Sequence, residues 1–293
     1  MWSRIRAILC CALAAQLAAC AGAPASPSVS HPPAAPVSAA PSLVELDPAT
    51  AAAIEAVLAG EHRSAANRAR DPWLHPRDTL LFFGLKPGMT VAEAWPGANG
   101  WYTEVLAPVL AGGRLYAAQM AADPANPYVT AVRASFTAKL AARPDLYGNV
   151  TVTSLGADAG DIAPPESCDM VLTIRGLHAW MHLGYASEAL AAMHRALKPG
   201  GVLGVVDNRG PGTAQDPRAT NGYVDEEYAI KLIEAAGFEL VARSEINANP
   251  NDTRDHEQGV WSLPPDYRQG NRDRAKYEAI GESDRFTLKF RKR

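Results

Sequence analysis

The sequence predicts an α/β domain: a mostly parallel sheet with helices on both faces. Three observations carry that prediction. Helix and strand signals alternate along the chain from about Leu43 onward, with no internal repeat. The stretch that shows them is roughly 250 residues long, the size of a single α/β domain. Hydrophobic residues make up 47% of the chain, which is enough for a sizeable core.

Residues 1–19 are expected to be an address and not part of the fold. Arg4 and Arg6 give a short positive region, and Ala7 to Ala19 follow as an apolar run. That run is roughly 13 residues, well short of the ~20 that span a bilayer. It ends in Leu17-Ala18-Ala19-Cys20, which resembles the lipobox of bacterial lipoproteins, where the cysteine is acylated and becomes the first mature residue. An ordinary secretory peptide cut at an Ala-x-Ala site is the alternative. Ala21 after the cysteine resembles the outer-membrane sorting pattern. The expected location is therefore the bacterial envelope, facing the periplasm, with lipid on Cys20 as the only membrane contact. Residues 20–42 hold Pro24, Pro27, Pro32, Pro33, Pro36 and Pro41 among Ala and Ser, and are expected to be an extended tether.

Residues 43–78 are expected to form a helical lid segment. Asp47-Pro48 opens a helix that stops at Gly60, and a polar stretch with Arg63, Asn67, Arg70 and Asp71 follows. Arg63, Asn67 and Arg70 suit a lid, where an arginine holds a carboxylate or pairs with Asp71. From residue 79 the chain reads as the main domain. Asp78 caps a helix ending at Gly84. Strands are expected at Thr90–Ala94, Leu115–Ala118, Val150–Leu155, Met170–Ile174, Val202–Asp207 and Glu239–Ile246. Phe286, Leu288 and Phe290 alternate in a last one. Between them, helices are expected at Trp101–Leu110, Tyr128–Ala142, Ala186–Leu197 and Asp225–Ala236. Ligands of such sheets bind outside the carboxyl ends of the strands, at the switch point.

Charge and cysteine usage exclude several classes. Lys and Arg number 28 against 31 Asp and Glu, so a basic nucleic-acid binder is not indicated. Lys289 to Arg293 form a small basic cluster that reads as a solvated tail. Cys10 and Cys11 leave with the signal and Cys20 carries lipid, leaving Cys168 as the only thiol of the folded part. Beside Asp169 at a strand start, it reads as a small buried hydrophobe and not a nucleophile.

Several ordered motifs carry a resemblance. Glu93-Ala94-Trp95-Pro96-Gly97-Ala98-Asn99-Gly100 follows the first strand. Asp169-Met170-Val171-Leu172 lies in the fourth, Leu197-Lys198-Pro199-Gly200-Gly201 precedes the fifth, and Ala235-Ala236-Gly237-Phe238-Glu239-Leu240-Val241 comes later. In this set the chain resembles the class I SAM-dependent methyltransferases, and within them a bacterial exported group of predicted methyltransferases. The resemblance implies a three-layer Rossmann-like fold whose seven-stranded, mostly parallel sheet ends in an antiparallel strand. It implies S-adenosyl-L-methionine (SAM) as cofactor and a small-molecule substrate. Glu93, Pro96, Gly97, Asn99, Gly100, Gln119, Asp158 and Arg175 are then the cofactor-binding candidates.

Glycines at a strand-to-helix turn let a ligand approach the backbone, and Glu93 at the strand end suits the methionine ammonium. Two departures from the family pattern matter. Trp95 and Asn99 stand where the family has glycines; Asn tolerates positive φ, but an indole at residue 95 takes space that the methionine moiety uses. Gln119 stands where an acid grips the ribose, with Asp123 as a possible substitute. A neutral hydrogen bond there is worth about 0.5–1.5 kcal/mol against 1.5–3 for a charged one. Asp158 falls where the family contacts adenine.

The remaining candidates cluster after the fourth and fifth strands. His178 is the expected general base, since imidazole titrates near neutrality. Asp207 and Tyr223 complete the catalytic candidates. Trp261, Trp180, Trp101 and Tyr102 are candidates for an aromatic wall. His178 and His182 at i, i+4 also allow a shared metal with Asp207, Asp255 or His256, although no HExxH or CxxC pattern supports one. Three functions stay open: a SAM-dependent methyltransferase, the same fold repurposed as a binding lipoprotein of the envelope, and a metal-assisted enzyme. Location and cofactor pull apart, because SAM is made in the cytoplasm.

Overall fold

In the computed structural model, which describes residues 47–158 and 160–293, Asp47 caps α1 (Pro48–Leu58) by accepting from the Ala49 backbone N–H. The expected signal peptide, Cys20 and tether lie outside the described residues. Two single turns follow, α2 (Ala65–Arg68) and α3 (Asp71–Leu74), and then α4 (Pro76–Phe83). Asp78 sits in the first turn of α4 instead of capping it, because Pro76 at the first position already starts the helix. These helices belong to the same compact unit as the rest of the described chain.

The sheet strands are β1 (Thr90–Ala94), β2 (Arg114–Met120), β3 (Val150–Leu155), β4 (Cys168–Ile174), β5 (Leu197–Asn208), β6 (Phe238–Ser244) and β7 (Arg285–Lys292). Their order is β3-β2-β1-β4-β5-β7-β6, parallel as far as β5, with β7 antiparallel between β5 and β6. The fold class and the antiparallel ending are as the sequence led us to expect. One expectation is corrected: the basic cluster Lys289–Arg293 is mostly strand, not tail. Lys292 is buried and donates to the Leu197 carbonyl at 2.8 Å. Alternating Phe286, Leu288 and Phe290 are fully buried, which pulls their charged neighbours into the sheet.

The connecting helices are α5 (Thr103–Val109), α6 (Pro127–Ala142), α7 (Pro144–Tyr147), α8 (Leu177–Leu183), α9 (Ala186–Ala196), α10 (Glu226–Ala235) and α11 (Arg274–Ile280). Two apolar clusters cover the two faces. One gathers Trp180, Leu190, Met193 and Ile233 with the Ala92 and Ala94 side of β1. The other gathers Ile54, Leu80, Phe83, Val105 and Leu106 with Val91. Period-two alternation thus puts Glu93 on the α5 face, beside Thr103. Cys168 is fully buried, and burial pushes its thiol up to about 11, in line with an inert role. Among the described residues, no helix is long and apolar enough to cross a membrane.

Candidate functional site

The strand order reverses between β1 and β4, and a cavity of about 340 Å³ opens at the carboxyl ends of these two strands. Glu93 to Gly97 enter its wall from β1, Ile174 and Arg175 from β4, and Met120 from the end of β2. Trp101 and Tyr102 come from the turn before α5, Arg70 and Leu74 from the N-terminal helices. The volume falls within the range of small-molecule pockets.

Glu93 is the buried carboxyl of this wall. It is 4% exposed, and Thr103 Oγ1 donates to its Oε2 at 2.6 Å. Burial pushes the carboxyl up to about 7, although the Thr103 hydrogen bonds and the Lys139 charge pull the other way. A buried carboxyl poised near neutrality on a cavity wall is a functional-site signature, and pairing with a cationic ligand group would ionise it.

The turn after β1 answers the question raised by Trp95. Trp95, Gly97 and Gly100 adopt positive φ (54°, 71° and 52°), whereas Asn99 does not, so the tolerance expected of Asn99 is not called upon. At Gly100 a Cβ would also lie 2.8 Å from the Phe136 ring. Left-handed backbone is costly for a tryptophan and is held here by two bonds. Trp95 N–H donates to the Ala118 carbonyl at 2.9 Å, and its indole N–H donates to the Leu155 carbonyl at 3.1 Å. The left-handed turn breaks strand alternation, so the indole packs with Ala92 and Ala94 on the Trp180 side. It meets Trp180 and Tyr185 edge-on, at 5.8 and 6.3 Å between centroids. The ring lies across the ends of β2 and β3 and forms one wall of the cavity without filling it.

Five cofactor candidates are placed differently from one another. Pro96 and Arg175 line the cavity. Gln119 does not: it is 1% exposed, its Nε2 donates to the Gly97 carbonyl at 2.8 Å, and its Oε1 accepts from Met120 N–H. Its side chain braces the glycine turn, so the expectation that it grips a ribose is corrected. Asp158 is exposed in the turn after β3 and is not on the cavity wall. Asn99 also lies off this wall; its carbonyl accepts from Lys139 Nζ at 2.7 Å, and it borders a second cavity.

The catalytic candidates fall into two groups. His178 Nδ1 donates to Asp207 Oδ1 at 2.7 Å, and the His178 backbone N–H donates to Oδ2 at 3.2 Å. Asp207 is fully buried. Burial works to raise its carboxyl, but the His178 charge and hydrogen bonds outweigh that and hold it below the usual range. The pair fixes the ring orientation, and Trp261 covers it at 6.4 Å. His178 is not itself on the cavity wall, but its neighbour Ala179 is. Tyr223 is a correction. It is 2% exposed and its hydroxyl donates to both Asp252 oxygens at 3.0 Å, in a buried network with His256. Burial first, and the Asp252 charge second, push the phenol far above its ordinary value, so it brackets loops together and does not reach the cavity.

The metal reading finds no support in the geometry. His178 is turned onto Asp207 while His182 is exposed. Among the described residues no group of three or more His, Cys, Asp or Glu side chains could hold an ion. Of the aromatic wall, Trp101 and Tyr102 line the cavity, whereas Trp180 is core. Arg63 is buried and forked onto Asp71 at 2.6 and 2.9 Å, so it ties the turn before α2 to α3.

Sequence reasoning missed Thr103, Arg285 and Glu282. Thr103 lies ten residues beyond Glu93 in the chain, and Glu282 lies 212 beyond Arg70, which forks onto it at 2.6 and 2.9 Å. No local pattern announces either partnership.

Comparison with known proteins gives the following. Residues 99–205 match a family model described as a methyltransferase domain. No curated protein matches the chain. A SAM-dependent methyltransferase from Aquifex aeolicus is 18% identical; the match covers 76% of this chain and 92% of that one, with a TM-score of 0.51. The cyclase SpnF is 18% identical over 80% of this chain and 85% of its own, with a TM-score of 0.53. Phosphoethanolamine N-methyltransferase 2 from Haemonchus contortus, in complex with SAM, is 16% identical over 75% of this chain and 52% of that one, with a TM-score of 0.51. At these identities the likeness is one of fold.

Proposed function

We propose, for a chain with the class I SAM-dependent methyltransferase fold and a matching methyltransferase domain, that it binds SAM and methylates a small-molecule acceptor. The observation that carries this is the cavity of about 340 Å³ at the switch point, with buried Glu93 on its wall and the Trp95 ring drawn aside. When bound, SAM supplies a methyl group made electrophilic by its sulfonium. Glu93 would accept from the donor's ammonium, and Pro96 and Gly97 would shape the turn around it. Trp101, Tyr102 and Ile174 would keep bulk water from the transfer site. His178, with Nδ1–H fixed on Asp207, offers Nε2 as the atom that takes a proton from the acceptor. Because Ala179 and not His178 lines the cavity, that proton would pass through a bridging water. Asp207 is a positioning residue.

Calorimetric titration of the full-length protein with SAM tests the reading. A dissociation constant below about 100 μM supports it, and binding weaker than about 1 mM removes it. A second reading, a binding lipoprotein on the same fold, is favoured by one observation: Gln119 is engaged by the Gly97 carbonyl and is not free to hold a ribose. SpnF, a cyclase of like fold, is also a reminder that the architecture hosts more than one chemistry. For location we propose the bacterial envelope, on the lipobox-like Leu17-Ala18-Ala19-Cys20. Labelling with a clickable fatty acid, lost in Cys20→Ser, would support it; unchanged labelling would not.

A further inference from the structure

Of the two arginines on the cavity wall, Arg175 stands apart from Arg70 and from Arg285 buried behind it. Arg70 is forked onto Glu282, and Arg285 reaches the same carboxylate at 2.5 Å and the Trp73 carbonyl at 3.0 Å. Among the described residues the Arg175 guanidinium makes no hydrogen bond. Its nearest charge is Asp266 at 3.6 Å, a side chain 42% exposed. Its Nε is buried without a partner. A buried Nε–H without an acceptor, on a side chain that lines the cavity, costs free energy unless a ligand completes it. The backbone is committed to this placement as well: Arg175 sits at φ 63°, held by its N–H on the Val206 carbonyl at 2.7 Å.

The charges around it do not balance. Arg70, Arg175 and Arg285 face two carboxylates, Glu282 and Asp266, which leaves one positive charge. Glu93 enters from β1, where the proposed function gives it the donor's ammonium. Arg285 registers the crowding: burial first, with the Arg175 and Arg70 charges adding to it against Glu282, lowers it to about 10. A second cavity, of about 580 Å³, adjoins at this point. It shares Arg70 with the first and is bordered by Asp266, Trp73, Pro264 and Tyr267. Asn67 also borders it, 4% exposed, with an amide nitrogen that has no partner.

We propose that the methyl acceptor is a small monocarboxylate with an apolar or aromatic body, which enters through the second cavity and takes Asp266's place on the Arg175 fork. This rests on the methyltransferase reading and names the substrate class for that site. A single unbalanced charge suits a monoanion over a phosphate dianion, and a planar fork matches a carboxylate bidentately. The Trp73, Pro264 and Tyr267 border suits a flat apolar body.

The test uses full-length protein saturated with S-adenosylhomocysteine, with benzoate, benzamide and phenyl phosphate as probes followed by calorimetry. Benzoate is expected to bind at least about tenfold more tightly than benzamide, and no more weakly than phenyl phosphate. Arg175→Gln should weaken benzoate about tenfold or more while S-adenosylhomocysteine changes less than about twofold, and Arg175→Lys should fall between. Asp266→Asn, which removes the competing carboxylate from an exposed position, should strengthen benzoate about two- to threefold. Equal binding of benzoate and benzamide, or benzoate unaffected in both Arg175 variants, would overturn the proposal. So would a parallel loss of S-adenosylhomocysteine, which would give the fork to the donor's carboxylate, or a clear preference for phenyl phosphate. If wild type binds no S-adenosylhomocysteine, the methyltransferase reading fails by itself. The same probes on unliganded protein then still decide whether Arg175 receives an anion.

Discussion

Replacing Glu93 with Gln separates what this carboxyl does for a ligand from what it costs the fold. Its ordinary value of 4.5 climbs to about 7 because the side chain is buried. The folded protein therefore holds the proton more tightly than the unfolded chain does. The stability tied to that proton is complete below pH 4.5 and is lost as pH rises through about 7. At about 1.4 kcal/mol per pH unit, ionising Glu93 inside the fold costs about 3 kcal/mol at pH 8, and almost nothing at pH 4. Gln keeps an oxygen for the Thr103 hydroxyl and never ionises. Urea unfolding of both proteins at pH 4, 6 and 8 should show Glu93→Gln gaining on wild type with pH, by about 2–3 kcal/mol at pH 8. All other titrating groups cancel in that difference. Binding should move the opposite way: SAM affinity falls about 10- to 100-fold in the variant, the value of a charge-assisted bond, and in wild type it declines below about pH 7. Parallel stability curves, or a variant less stable at pH 8, would refute the burial argument. Undiminished SAM binding would refute the role given to the carboxylate.

Further outcomes are expected. Trp95→Gly removes the indole's contacts but relieves left-handed strain, so thermal unfolding should report a net loss of about 1–3 kcal/mol. SAM binding should not weaken; a tenfold loss in folded protein would make the indole part of the binding surface. Gln119→Glu would set a carboxylate against the Gly97 carbonyl and lower stability by about 1–3 kcal/mol. An unchanged melting temperature would mean that this side chain turns freely into the cavity. His178→Ala should cut turnover about 10²- to 10⁴-fold with SAM affinity intact, and Asp207→Asn should do likewise by releasing the ring. Wild-type rates in either would remove the dyad from the reaction.

Wherever short-range physics decides, the sequence was a sound guide. Thr90–Ala94 and Val150–Leu155 are found at the expected bounds, because short β-branched segments bounded by Gly and Pro signals leave little choice. Asp225 caps its helix through Tyr228 N–H, as a carboxylate before an apolar period should. The basic C-terminal cluster misled because charge in the chain says nothing about burial. Only pairing with β5 and β6 shows that these residues complete a sheet. Short helices such as Ala65–Arg68 and Asp71–Leu74 escaped because a single turn has too little period to read.

The site divides along the same line. Chain order alone was enough to place Glu93, Pro96 and Gly97 at a strand-to-helix turn, since the backbone requirement is local. Which side chains face the cavity is another matter. Gln119 and Arg175 each end a strand beside the site, and nothing in the order of residues says that one is tied to Gly97 while the other has no acceptor. A strained turn at Trp95, a carboxylate more than two hundred residues from Arg70, and a buried aspartate under His178 decide those roles. Local propensity acts over a few bonds. Burial, charge balance and hydrogen-bond satisfaction depend on what the whole fold brings together.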